Sequence, residues 1–269
     1  LAEERNFSVT LAVLGKVPEG YVLATDRIHR GPDFAYPGPP SEVGGDAIFL
    51  WPRHPLGALV WGASALGPSA VSEIASLVEE TPLEGESLLD EVSLRLARLL
   101  SRWGRRKFLG LRPYLRPRVG FFLAGFETQR GLQGRDRVWD LSEPFSPPRP
   151  VRVETPDTPQ CGFNWRGQEI WMTRLILGYD PRLLELIRSQ FSLPEEELLP
   201  LFRQVEMPIS YSGMDMNRAL EMAAFMIHTT LSLLRLQGLP GQWEWEIEMA
   251  VITPQGAQRV VSTGPEETG

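Results

Sequence analysis

The sequence predicts an α+β fold in which two stacked antiparallel sheets carry helices on their outer sides. Two observations point there. Short apolar runs come in pairs joined by turn residues, and these pairs alternate with pairs of helical runs. One run, Val119 to Phe126 (V-G-F-F-L-A-G-F), is apolar on both faces, as a central strand is. No internal repeat or linker splits the 269 residues, so a single domain is expected over the whole chain.

The elements follow in order. Ser8 to Leu14 (S-V-T-L-A-V-L) reads as a strand, and Tyr21 to Thr25 as its hairpin partner across a Pro/Gly turn, closing at Asp26. Gly31 to Gly45 is a proline- and glycine-rich loop. Ala47 to Trp51 and Gly57 to Gly62 form a second hairpin around Pro52-Arg53-His54-Pro55. From Pro68 the period changes to helical, with Val71, Ile74, Ala75, Leu77 and Val78 on one face. A second helix is predicted over Ser87 to Trp103. Val119 to Phe126 is the next strand, with Val138 to Leu141 as its hairpin partner. Glu143 to Gln160 holds six prolines and reads as an extended loop or lid. Trp171 to Leu177 is mixed apolar sequence with no assigned element. Pro181 to Phe191 and Pro194 to Phe202 are short helices. Glu195, Glu196 and Glu197 suit the N-terminal end of the helix dipole. Met216 to Leu236 is the longest helix candidate. Trp243 to Thr253 alternates and then turns fully apolar, as a strand passing into a sheet does, and Ala257 to Val261 closes the last hairpin.

Composition narrows the function classes. Hydrophobic residues are 42% and charged residues 23%, so a folded core is expected rather than disorder. One cysteine excludes a disulfide framework within the chain and a cysteine-rich zinc site. His29, His54 and His228 lie far apart without metal-ligand spacing, so neither a metal nor a cofactor is expected. His228 reads as a packed core histidine. The net charge of −7 argues against nucleic acid as the main partner. Pro55 to Ser72 is the longest uncharged stretch, but its two prolines and three glycines make a poor membrane span. The first residues are too polar for a signal peptide, and a cytoplasmic location is expected.

Several segments, taken in order, resemble proteasome subunits and their bacterial ring-protease relatives. The hairpin T-L-A-V-L-G-K…G-Y-V-L-A-T-D-R resembles the family's opening. L-V-W-G-A-S-A-L-G-P-S-A resembles its next strand and Gly-rich turn. V-G-F-F-L-A-G-F-E, R-L-I-L-G-Y-D and W-E-I-E-M-A-V-I-T-P-Q-G resemble three later segments. The resemblance runs from about Ser8 to about Val261. It implies the four-layer αββα sandwich of the N-terminal nucleophile hydrolases.

That family's chemistry implies specific positions. Its nucleophile is the first residue of the mature chain, with the α-amino group as base. By this resemblance the nucleophile column falls at about Ser8, with Thr10 near, the aspartate column at Asp26 and the lysine column at Ala47. Ser8 and Thr10 follow seven and nine residues here, so neither has a free amine. Lysine occurs only at Lys16 and Lys107. The serine and aspartate the family carries after its long helix are missing from Leu236-Gln237-Gly238-Leu239-Pro240-Gly241. The expectation is therefore a pseudoenzyme, with Ser8, Thr10, Asp26 and Ala47 as vestigial positions. Asp26 would fix its hairpin and pair with Arg27 or another arginine.

Two rival functions remain. One is an active threonine or serine peptidase or amidohydrolase, its nucleophile (Ser8, Thr10 or Cys161) exposed by processing. The bland reading of Cys161 is a half-buried thiol in a Trp/Phe loop. The other is a nucleic-acid scaffold on the basic stretch Arg102 to Arg118, where Arg102, Arg105, Arg106, Lys107, Arg112, Arg116 and Arg118 interleave with Trp103, Phe108 and Tyr114. A solvated loop or subunit contact is the simpler reading there. The resemblance also implies a homo-oligomer, packed as a ring, and a protein as partner or substrate. Trp51, Trp103, Trp139, Trp165 and Trp171 fall where the pattern does not bury them, which suggests an interface.

Overall fold

The computed structural model describes residues 11–30, 47–52, 54–62, 66–80, 88–108, 110, 119–127, 133–140, 161–191, 194–236 and 244–260. Within them lie nine strands: β1 (Ala12–Val17), β2 (Gly20–Arg30), β3 (Ile48–Leu50), β4 (Leu56–Trp61), β5 (Gly120–Glu127), β6 (Gln133–Asp140), β7 (Gly162–Arg166), β8 (Glu244–Thr253) and β9 (Gly256–Val260). Six α-helices join them: α1 (Pro68–Glu80), α2 (Leu88–Phe108), α3 (Glu169–Leu177), α4 (Pro181–Phe191), α5 (Glu195–Phe202) and α6 (Met216–Leu236). One sheet has the order β7-β1-β2-β8-β9 and the other β3-β4-β5-β6, with every pair antiparallel.

The alternation of side chains along each strand builds the layers. Ala12 and Leu14 of β1, Tyr21 and Leu23 of β2, and Ala250 and Ile252 of β8 point between the sheets. There they meet Leu59, Trp61, Phe122, Ala124 and Val138 of the other sheet. The intervening residues Val13, Val22, Ala24, Met249 and Val251 face outward onto Ala219, Ala223, Met226, Ile227 and Leu231 of α6. Ala58, Val60, Phe121 and Leu123 face the opposite way onto Ile74 of α1 and Val92, Leu96 and Leu100 of α2. Helix, sheet, sheet and helix are thus four layers held by three apolar seams, the αββα sandwich expected.

Local chemistry fixes the helix starts. Glu127 of β5, itself buried, accepts the Leu89 N–H of the first turn of α2 at 3.2 Å. Asp215 precedes α6 and accepts the Arg218 N–H at 2.8 Å, while Glu19 of the first hairpin turn accepts the Met216 N–H at 3.1 Å. By length and composition α6 could cross a membrane. Its apolar face instead lies on β1, β2 and β8.

Several expectations need correction. Helix α2 runs to Phe108, beyond Trp103: Gly104 is buried in the seam rather than breaking the helix, and Arg105, Arg106 and Lys107 suit the negative end of its dipole. Strand β2 continues past Asp26 to Arg30, carried by its pairing with β8 through an irregularity between Ile28 and Arg30. The segment around Trp165 is strand β7, paired with β1, rather than a loop. Its pattern is weak because every residue of this edge strand is half-buried. Trp171 to Leu177 belongs to helix α3, nine residues long, with Met172, Thr173 and Ile176 buried. Trp51 and Trp139 are core residues, 1% and 5% exposed, and Trp139 stacks on Phe121. Trp103, Trp165 and Trp171 are half-buried against the outer seams. Trp51 and Trp139 therefore belong to the core and not to an interface. The proline-rich loop Glu143 to Gln160 lies outside the described residues.

The inter-sheet seam is tight enough to test with one methyl group. A Cβ on Gly120 would stand 2.1 Å from the Trp61 ring and 2.3 Å from the Trp139 carbonyl oxygen. One on Gly162 would meet nothing within 4 Å. Gly120→Ala is expected to cost about 2 kcal/mol or more in denaturant unfolding, and Gly162→Ala less than about 1 kcal/mol. Equal effects would refute the close approach.

Candidate functional site

The candidate site lies where β1 begins, at one end of the space between the sheets. β2 passes it in the middle of the five-stranded sheet, so its side chains there are buried from all sides. Thr25 pairs across the strands with Ala12 on one side and Glu248 on the other. Thr25 is fully buried and shares the inter-sheet face with Tyr21 and Leu23. Asp26, one residue on, turns to the face of Val22 and Ala24, where α6 packs.

The Asp26 carboxyl is 4% exposed, and its Oδ1 accepts the Leu11 N–H at 2.5 Å. A side chain thus takes the donor just before β1, at the amide that joins Leu11 to Thr10. Oδ2 is buried and has no hydrogen-bond partner among the described residues. Burial raises the Asp26 pKa to about 7, only partly opposed by the backbone N–H groups of Leu11 and Asp26 itself. The arginine partner expected of Asp26 is absent among the described residues.

A second polar group closes the same end. Glu248 of β8 faces the inter-sheet space, and its Oε1 pairs with the Arg259 guanidinium of β9. Arg259 also donates to the Ile48 carbonyl oxygen of β3 at 2.7 Å, tying the two sheets together. Glu248 Oε2 is buried and unpartnered among the described residues. Ala47, the lysine column, precedes β3 and packs its methyl on the inter-sheet core, while its carbonyl accepts the Val60 N–H at 2.9 Å. A cation therefore does stand beside this position, on Arg259. Sequence order hid it, because it comes from the last strand. A guanidinium stays protonated and cannot relay a proton.

Neither lysine reaches Asp26. Lys16 pairs with Tyr21 in the hairpin register. That places it five residue steps from Asp26, about 17 Å along the strand. Its ammonium lies 3.2 Å from Asp136 of β6 and over the Tyr21 ring. Lys107 ends α2 on the outer side of the other sheet, with its ammonium beside Gly67. Stacked layers put it roughly 20 Å from Asp26.

The remaining candidates do not join this group. Ser8 and Thr10 lie outside the described residues, as do 111–118 of the basic stretch and 237–243 after the long helix. In the described part of the basic stretch, Arg102 pairs with Glu73, Trp103 donates to Glu73 at 2.6 Å, and Arg106 lies over the Trp103 ring. Those groups bind within the helical layer instead of forming a stacking platform. Cys161 is a free, half-buried thiol just before β7. His228 is half-buried on α6, and burial lowers its pKa. His54 sits in the β3–β4 turn, and of the His29 side chain nothing is described. No group of three or more metal-ligating side chains occurs among the described residues.

Comparison with solved structures places this fold. The chain resembles Anbu (ancestral beta-subunit) from Yersinia bercovieri at a TM-score of 0.51 and 13% identity, over 95% of this chain and 88% of that one. An Anbu mutant from Hyphomicrobium sp. strain MC1 aligns at a TM-score of 0.47 and 15% identity, over 95% of this chain and 89% of that one. No protein-family model matches the chain, and no curated protein matches it. The first likeness shows that the chain shares the fold of that Anbu subunit.

The buried Asp26 gives stability a pH dependence of known sign. Its folded pKa of about 7 lies above the unfolded carboxylate value, so the folded state holds the extra proton between them. Stability should fall as pH rises from about 4 to about 7, by up to about 4 kcal/mol, and then level off. Asp26→Asn keeps an oxygen for the Leu11 N–H and cannot ionise. It should remove that slope and be more stable than wild type at pH 8, measured by urea unfolding. Loss of stability at pH 8 in this variant would show that the charged carboxylate is held by a cation.

Proposed function

We propose that this chain is a proteasome-subunit-like protein without hydrolytic activity, serving as a structural or assembly module in a self-associating complex. The observation that carries the reading is the environment of Asp26. In the catalytic arrangement that the family resemblance implies, this carboxylate and a lysine together activate the nucleophile's hydroxyl. Here the carboxyl is buried on a backbone N–H, and both lysines of the chain stand elsewhere. Arg259 occupies the neighbourhood of the lysine column but is committed to Glu248 and the Ile48 carbonyl. Losing one member of a cooperating catalytic group costs orders of magnitude in rate.

The polar groups kept at this end have a structural use. Asp26 fixes the start of β1, and Arg259 clamps β3 to the other sheet. The nucleic-acid reading is weakened by the engagement of Arg102 and Trp103 with Glu73.

Covalent inhibitors directed at N-terminal threonine or serine test the proposal. Incubated with protein from its native source, they should leave the intact mass unchanged, and the mature chain should still include the residues before Ser8. A stoichiometric adduct on Ser8, Thr10 or Cys161 would establish the peptidase or amidohydrolase reading instead.

A further inference from the structure

Helices α1 and α2 lie side by side on the outer face of the second sheet, and a groove of about 440 Å³ runs between them. That volume is in the range of ligand sites. Leu99 is buried and Leu77 half-buried, so the groove has an apolar floor between polar walls. On the α2 side the wall is Arg95, Arg98 and Arg102, which share one face of the helix because they stand three and four residues apart. Glu73 and Ser76 line the α1 side. Arg98, Arg102 and Ser76 are exposed, so the groove is open and takes a ligand laid across it.

The lining is rich in donors and short of acceptors. Its one carboxylate, Glu73, has both oxygens taken, one by Arg102 and the other by the Trp103 indole N–H at 2.6 Å. Arg95 pairs with Glu91 one turn back on α2. These two arginines use only part of their N–H groups, and exposed pairs of this kind are weak. Arg98 has no acceptor among the described residues, and neither has the Ser76 hydroxyl. Three guanidinium groups thus face one carboxylate, and the central one is unsatisfied. A ligand that fits must bring acceptors and negative charge. The chain's net charge of −7 opposes this little, because salt screens charges more than about 10 Å away.

We propose that this groove binds an acidic peptide segment of a partner protein, laid out extended, with one carboxylate on Arg98 and a second on Arg95 or Arg102. Alternate side chains of an extended peptide repeat every ~6.7 Å. Neighbouring arginines on the helix stand about 5–6 Å apart at their Cβ atoms, and the long side chains absorb the difference. Apolar atoms of the peptide rest on Leu77 and Leu99. A nucleic acid fits less well. No aromatic side chain lines the groove for a base to stack on, and the nearby Trp103 is bonded to Glu73 and lies under Arg106. The inference does not depend on the self-association proposed above.

Fluorescence anisotropy with the full chain at low salt tests it. The probe is the labelled peptide Gly-Ser-Glu-Leu-Glu-Leu-Glu-Ser-Gly. It should bind, and added salt should weaken it. The same peptide with glutamine for each glutamate should bind about tenfold more weakly or not at all. Arg98→Glu should weaken the glutamate peptide about tenfold or more, whereas Arg98→Lys should keep part of the affinity. Arg235→Glu makes the same charge change at an exposed position of α6 and should leave binding as it is. Urea unfolding should show every variant folded like wild type. If wild type does not bind the peptide, or if Arg98→Glu and Arg235→Glu weaken it equally, the site falls. Tripolyphosphate or a single-stranded RNA that binds more tightly than the peptide, with the same dependence on Arg98, would overturn the peptide assignment.

Discussion

Two sheets packed face to face leave no room for water between them, and this contact constrains most of the molecule. Each central strand must be apolar on both sides, one side for the facing sheet and one for a helix. Polar side chains that cross from sheet to sheet sit toward the two ends of the seam. At one end Arg259 reaches from β9 to the Ile48 carbonyl. At the other, Lys16 reaches from β1 to Asp136 on β6. One of the chain's two lysines is thus spent as a structural tie far from Asp26, and the other lies outside the sandwich at the end of α2. The same seam aligns Ala47, Thr25 and Glu248 around the start of β1.

Within that frame Asp26 is an acid in an apolar setting. A buried carboxylate needs a cation or several donors to stay charged, because desolvation penalises the ionised form. Here the partner among the described residues is the Leu11 N–H, and Oδ2 has none. The nearby cation, Arg259, is already neutralised by Glu248 and faces the inter-sheet side of the sheet, opposite to Asp26. The groups that remain suit fixing strand ends better than moving protons.

The fold was legible because its strands obey the inter-sheet constraint. Val119 to Phe126 and Trp243 to Thr253 show it directly as apolar runs, and α6 shows its buried face at helical spacing with bounds that match. What escaped was marginal in burial. β7 is an edge strand with every residue half-buried, so it carries no alternation, and α3 is too short for its period to stand out. Trp51 and Trp139 misled because burial is a property of layers, which local pattern does not reveal. Among the described residues the exposed large apolar side chains include Leu186 and Phe191 of α4, Leu201 of α5 and Phe225 and Leu236 of α6. At the site, Asp26 was legible from its place in the hairpin motif, and the lack of a nearby lysine from the count alone. Its neighbours were not: Glu248 and Arg259 lie more than two hundred residues away in sequence and reach the site only through the β2–β8–β9 pairing.

The ionisation of Asp26 tests the central claim most directly. A carbon-13 NMR titration of aspartate side-chain carboxyls, with Asp26→Asn for assignment, reads it without reference to stability or activity. The account predicts an Asp26 midpoint near pH 7. A midpoint below about 4 would show a charged carboxylate held by a cation, and would contradict the proposal that no catalytic pair forms here.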